Sequence, residues 1–181
     1  MTGRNTLVRS LHDLSLATWF GGNLMGAVGL NGAAAEAKDP TDRIRLSSVG
    51  WGRWAPVQLA ALAAHAVGGV GLILGNKERL AQQPESRTNT YVKLTLTVLA
   101  AGTTLWSALA GLKMAKHAGE PTEGVTEPGA RTSNELAGAQ TQQKVLQWVT
   151  PILTGVLIIM GAQQGEQQRP VAGRLQSLFR R

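Results

Sequence analysis

Apolar and polar positions alternate along this chain in long blocks. Four stretches run without a charged residue for the ~20 residues a helix needs to cross a hydrocarbon core: Leu14 to Ala35, Trp54 to Gly75, Leu94 to Leu112 and Val145 to Ala162. None alternates with period two, and each is too long for a core strand, so all four are predicted to be helices. The fourth holds the most apolar segment, ILTGVLIIMG. The first carries Asn23 and Asn31 as its strongly polar members, and the second is interrupted by Gln58 and His65. Pro56 falls in the first turn of the second run, where proline is tolerated, and Pro151 lies where it would kink the fourth.

These runs are rich in glycine, alanine and threonine. A glycine costs about 1 kcal/mol in the interior of a water-soluble helix, whereas between membrane helices small residues let backbones approach. The pattern therefore predicts an all-α integral membrane four-helix bundle, a single transmembrane domain over residues 1–181. The first run also imitates a secretory signal, with its basic start and NGAAAEA, but it reads better as a span. Between the third and fourth runs, Lys113 to Lys144 form a long polar connection, predicted to be mobile apart from a helical turn or two at NELAGAQTQQK. Residues 163–181 form a basic tail. Val171, Leu175, Leu178 and Phe179 share one helical face there, and Arg174, Arg180 and Arg181 stand ready for an anionic leaflet.

Charge adds an orientation. The net charge is +7, but the basic residues lie in short groups between uncharged runs, which suits membrane loops and speaks against nucleic acid as a partner. Placing both termini in the cytoplasm puts ten Lys and Arg inside against eight outside, which favours that topology in a bacterial inner membrane. There is no cysteine, so disulfides and thiolate chemistry are excluded. Phosphate loops, HExxH, nucleophile elbows and acids within spans are absent too, which argues against an enzyme and against a carboxylate proton relay.

Two sets of residues stand out. Gly22, Gly26 and Gly29 form a small-residue stripe on the first helix, and Gly68, Gly71 and Gly75 continue one with Ala61 and Ala64 on the second. Such faces suit helix packing, and with it self-association or membership of a larger membrane complex. The leading expectation is thus a structural or accessory subunit. The second set is the histidines. His65 lies mid-span, where an ionisable side chain suggests function. With His12 it offers ligands for heme or a metal ion, the alternative expectation. If the first helix enters the bilayer only after Arg9 and Ser10, His12 is offset in depth from His65. His117 lies near Glu120 and Glu123, a loose set of divalent-ion donors. Trp19, Trp54, Trp106 and Trp148 could line a small apolar ligand; Trp54 and Trp148, near span ends, read as interfacial anchors.

His12, six residues, then Trp19-Phe20-Gly21-Gly22 resembles the first-helix pattern of copper-resistance-D-like membrane proteins. It is also similar to a group of small four-span proteins of unknown function. The resemblance implies an integral bundle, with metal or heme involvement in the copper-linked branch. The four methionines (Met1, Met25, Met114, Met160) are scattered rather than clustered, which makes the uncharacterised group the nearer relative.

Overall fold

The computed structural model describes residues 6–167; the tail arginines Arg174, Arg180 and Arg181 lie outside them. The described residues are helical and contain no strand. Helix α1 runs over Thr6–Met25, continues through one π-helical stretch at Gly26–Leu30, and ends as α2, Asn31–Ala35. Helix α3 spans Asp42–Gly75, α4 Lys77–Gln82, α5 Pro84–Lys116 and α6 Asn134–Gln167. Three of these, α3, α5 and α6, contain stretches long and apolar enough to cross a membrane. The first apolar run differs because the π turn divides it.

Helices outrun the apolar windows at nearly every end. Helix α3 begins twelve residues before Trp54, at Asp42, so Pro56 sits well inside it rather than in its first turn. Its missing N–H leaves the carbonyl of Gly52 without that partner, and the space beside Gly52 is open. Pro151 likewise lies inside an unbroken α6. Outward faces are apolar: Leu14 is 69% exposed, Leu59 68% and Ile159 59%. In water such faces would mark an interface; on helices of this length they suit lipid.

Inward faces carry the polar groups. Asn31 is the hub. Its Oδ1 accepts from Ser47 Oγ at 2.8 Å and Trp51 Nε1 at 2.9 Å, and its Nδ2 donates to Gln147 Oε1 at 3.0 Å. The π turn explains the aim. One extra residue per turn advances the following segment by about 100°, which brings Asn31 and Ala34 inward, where both are buried. Further interhelical bonds run from Asn23 to Gln58, Trp19 to Thr104, Thr103 to Thr150, Ser107 to Gln143 and Trp106 to Gln142. In an apolar solvent these bonds fix register between helices that have little hydrophobic reason to prefer one. Around them Leu16, Trp19, Ala100 and Leu157 make the mid-bundle core.

The polar connection departs from the mobile loop expected of it. Residues 117–133 fold over one end of the bundle and are held there. Arg43 Nη1 donates to the carbonyls of Thr122 and Glu123 at 2.6 and 2.7 Å, and Gln140 Nε2 donates to those of Gly124 and Val125 at 3.1 and 3.0 Å. Val125 drops into a small core with Ala34, Ile44, Met114, Leu136 and Ala139. Gly119 takes φ +112°, which only glycine adopts freely. Ser133 starts α6 as its N-cap, its Oγ accepting from Leu136 N.

Candidate functional site: the His12–His65 cavity

Helices α1 and α3 run antiparallel, and their glycines are used within the chain. Trp54 covers Gly22, Trp51 covers Gly26 and Leu30 covers Gly50, each without room for a Cβ. Toward the other end the roles reverse. Val8 fills the space over Gly71, and a Cβ on Gly68 would come within 2.8–2.9 Å of His12 Cβ, Cα and N. Val8 and His12 of α1 therefore sit on glycines in the C-terminal half of α3, and Trp51 and Trp54 of α3 on Gly22 and Gly26, with Leu30 on Gly50 the one contact in the opposite sense. Gly29 differs: its space is taken by Met25 of the same helical segment. Gly75 closes α3 in an exposed position. Trp54, expected as an interfacial anchor, is an interhelical knob whose Nε1 donates to Gln58 Oε1 at 2.9 Å. Trp148 stays 44% exposed.

This register brings the two histidines together. Because α1 starts at Thr6, His12 is well inside the helix and level with Gly68, and the depth offset expected from Arg9 and Ser10 does not occur. The imidazoles of His12 and His65 stack at 4.1 Å between centroids, tilted by 32°. The adjacent Gly68 and Gly69 supply the seat, since Gly69 leaves the His12 ring at 3.7–4.0 Å from where a Cβ would stand. His65 is 4% exposed and its Nδ1 lies 3.3 Å from the His12 carbonyl oxygen. His12 Nδ1 lies 3.0 Å from Asp13 Oδ1. Trp19 presents its edge to His65 at 5.8 Å, and is itself fixed by the bond from Nε1 to Thr104.

Beside the pair is a cavity of about 370 Å³, walled by α1, α5 and α6. Its polar lining is Arg9, His12, Asp13, His65, Lys93 and Thr97, and its apolar lining includes Leu16, Ala17, Leu157 and Ile158. A second cleft of about 270 Å³ shares Arg9, His12, His65, Lys93 and Thr97 and opens between α3 and α5. Lys93 Nζ donates to Gln164 Oε1 at 2.7 Å, tying α5 to α6 across the cavity. Arg9 and Lys93 both stand outside the uncharged runs, so their place here was hidden from a reading by apolar windows.

A metal ion fits the donors poorly. Among the described residues no group of three His, Cys, Asp or Glu is placed to hold one. Nor do stacked rings 4.1 Å apart admit a porphyrin between them, so axial ligation of heme by both histidines does not fit this geometry. His117 is engaged elsewhere: its Nδ1 lies 2.6 Å from Glu120 Oε1 and its Nε2 3.6 Å from Glu135 Oε2. Glu120 also accepts from Ser133 N at 2.8 Å and Oγ at 3.1 Å. Those hydrogen bonds, the one from the Ser133 backbone first, hold its carboxyl below the ordinary value of 4.5. Glu120 thus holds the Ser133 N-cap at the start of α6. No family model, curated protein or solved structure matches this chain.

Proposed function

We propose that this is an integral membrane protein that binds a small molecule in the His12–His65 cavity without transforming it. In this reading the chain crosses a bacterial inner membrane four times with both termini cytoplasmic, α1 through α2 making the first crossing. The observation that carries the reading is the stacked histidine pair, set beside Arg9 and Lys93 in a space the size of a small-ligand site. Ionisable groups among membrane-spanning helices are costly to keep there, and their usual justification is a ligand or a pathway.

The glycine stripes that suggested a scaffolding role serve packing within the chain. Gly22, Gly26, Gly68 and Gly71 were the expected docking faces, and each is covered by a side chain of the same protein. An accessory subunit would have to engage its complex through the outer apolar faces instead. Heme or metal binding is the narrower form of the cavity reading, limited here to ligation by one histidine.

The test is native mass spectrometry of the full chain extracted into nanodiscs from its own membrane, together with an absorbance spectrum. A bound small molecule, present in the native chain and lost in His65→Leu, supports the reading. A Soret band would reassign the site to heme. A chain that carries nothing, or the same load in both forms, would refute it.

A further inference from the structure

The hydrogen bonds of the two stacked imidazoles fix their tautomers. His65 Nδ1 lies 3.3 Å from the carbonyl oxygen of His12, and a carbonyl only accepts, so this Nδ1 carries the hydrogen. His12 Nδ1 faces the Asp13 carboxylate at 3.0 Å, which when ionised also only accepts. In a neutral imidazole the remaining nitrogen is then a bare acceptor. Both Nε2 atoms therefore present a lone pair, and among the described residues neither has a hydrogen-bond partner. They cannot serve each other, because the lone pairs lie in the ring planes and the rings are stacked at 4.1 Å.

The charged groups nearby are already engaged. Lys93 donates to Gln164 at 2.7 Å, Arg9 has a partner of its own, and Asp13 is held by His12. What the histidines lack is a hydrogen-bond donor, and a polar atom left unpaired in an apolar bundle is costly. The Nε2 edge of His12 is turned to Gly69, with Nε2 4.0 Å from where a Cβ would stand. Gly69 lines the cleft of about 270 Å³, whose other walls include Val70, Ile73 and Leu94. His65 lines both this cleft and the larger cavity. The bare nitrogens thus stand beside a largely hydrocarbon surface.

Building on the cavity reading, we infer that the ligand is an uncharged amphiphile with a hydroxyl-bearing head. The head donates its hydrogens to Nε2 of His12 and of His65, and the hydrocarbon lies along Val70, Ile73 and Leu94. A carboxylate or an ester brings no hydrogen to a bare nitrogen. An ammonium head would bring one, but as a third cation beside Arg9 and Lys93. A hydroxyl donates without adding charge.

The test uses the full chain in phosphatidylcholine nanodiscs with radiolabelled monoolein, whose glycerol head carries hydroxyls, as probe. Saturable binding is expected, competed by unlabelled monoolein and more weakly by oleyl alcohol, but not by methyl oleate, oleate or oleylamine. His65→Phe keeps a ring in place and removes the acceptor, so it should weaken the probe about tenfold, the loss typical of one hydrogen bond at a buried site. His12→Phe should do the same. Methyl oleate competing as well as monoolein overturns the hydroxyl head, and oleate or oleylamine doing so overturns its neutrality. Binding that is saturable yet intact in both phenylalanine variants overturns the role of the nitrogens. If monoolein does not bind saturably the inference fails, while the cavity reading is decided separately by whether the native load is lost in His65→Leu. The alcohol-against-ester comparison in the native chain decides even where a variant fails to fold.

Discussion

At Gly68 the backbone of α1 itself lies against α3. A methyl there would meet the Cα and N of His12 at 2.9 Å, atoms that no rotamer change can move. Gly68→Ala is therefore expected to destabilise the chain by about 1–3 kcal/mol, the usual cost of overpacking, and to part the histidine rings. Gly102→Ala, with nothing within 4 Å of the new atom, should be neutral or slightly stabilising because the helix prefers alanine. Thermal unfolding of both in one detergent checks the contrast; equal effects would refute the role given to Gly68. Asn31 makes a second residue-scale case. Replacing it with leucine strands Ser47 Oγ, Trp51 Nε1 and Gln147 Oε1, the three partners it holds. A loss of about 1–3 kcal/mol is expected, the cost of buried polar groups left unpaired. Asn31→Asp keeps the two acceptor contacts but loses the donation to Gln147, so it should fall between.

At the scale of elements, the apolar runs announced helices and located their middles well. Their ends fell short because amphipathic turns such as DRIRLSSVGWGR continue a helix with polar residues that a hydropathy window counts as loop, whereas NELAGAQTQQK, expected to hold a turn or two, opens α6. The π turn left no sequence mark beyond glycine content, and it decides which way Asn31 points. The loop of residues 117–133 was composed like a mobile one, yet side chains distant in sequence, Arg43 and Gln140, tie down its carbonyls. That anchoring is expected to depend on pH. Glu120 has a folded-state pKa below its ordinary 4.5, so its contribution is full above that value and is lost as pH falls through the lowered one. Hydrogen exchange in residues 117–133, corrected for intrinsic rates, should rise on acidification through that range, while Glu120→Gln should exchange faster at neutral pH and respond less to acid. A pH-independent loop in the native chain would show that Glu120 does not hold it.

For the molecule as a whole, the histidines illustrate what a sequence withholds. Each was visible as a candidate, but their pairing depends on the antiparallel register of α1 on α3. That register is set by Trp51, Trp54, His12 and Val8 seated on glycines 25 or more positions away along the chain. Arg9 and Lys93 were read only as charges for orienting the topology, because nothing local tells a snorkelling cation from one that lines a cavity. The resulting picture is of a bundle with a polar seam: one end is closed by the 117–133 loop, and the other holds a cation-lined space between two helix pairs.

The measurement closest to that picture is imidazole ¹⁵N NMR of the histidine-labelled full chain in nanodiscs, compared before and after its native membrane load is stripped in detergent. The chain has three histidines, and His117 at the capped end serves as an internal control. The expected result is that the His12 and His65 resonances shift together between the two samples while His117 stays still. Resonances of His12 and His65 that do not move, or that move no more than His117, would contradict the assignment of the cavity as a ligand site.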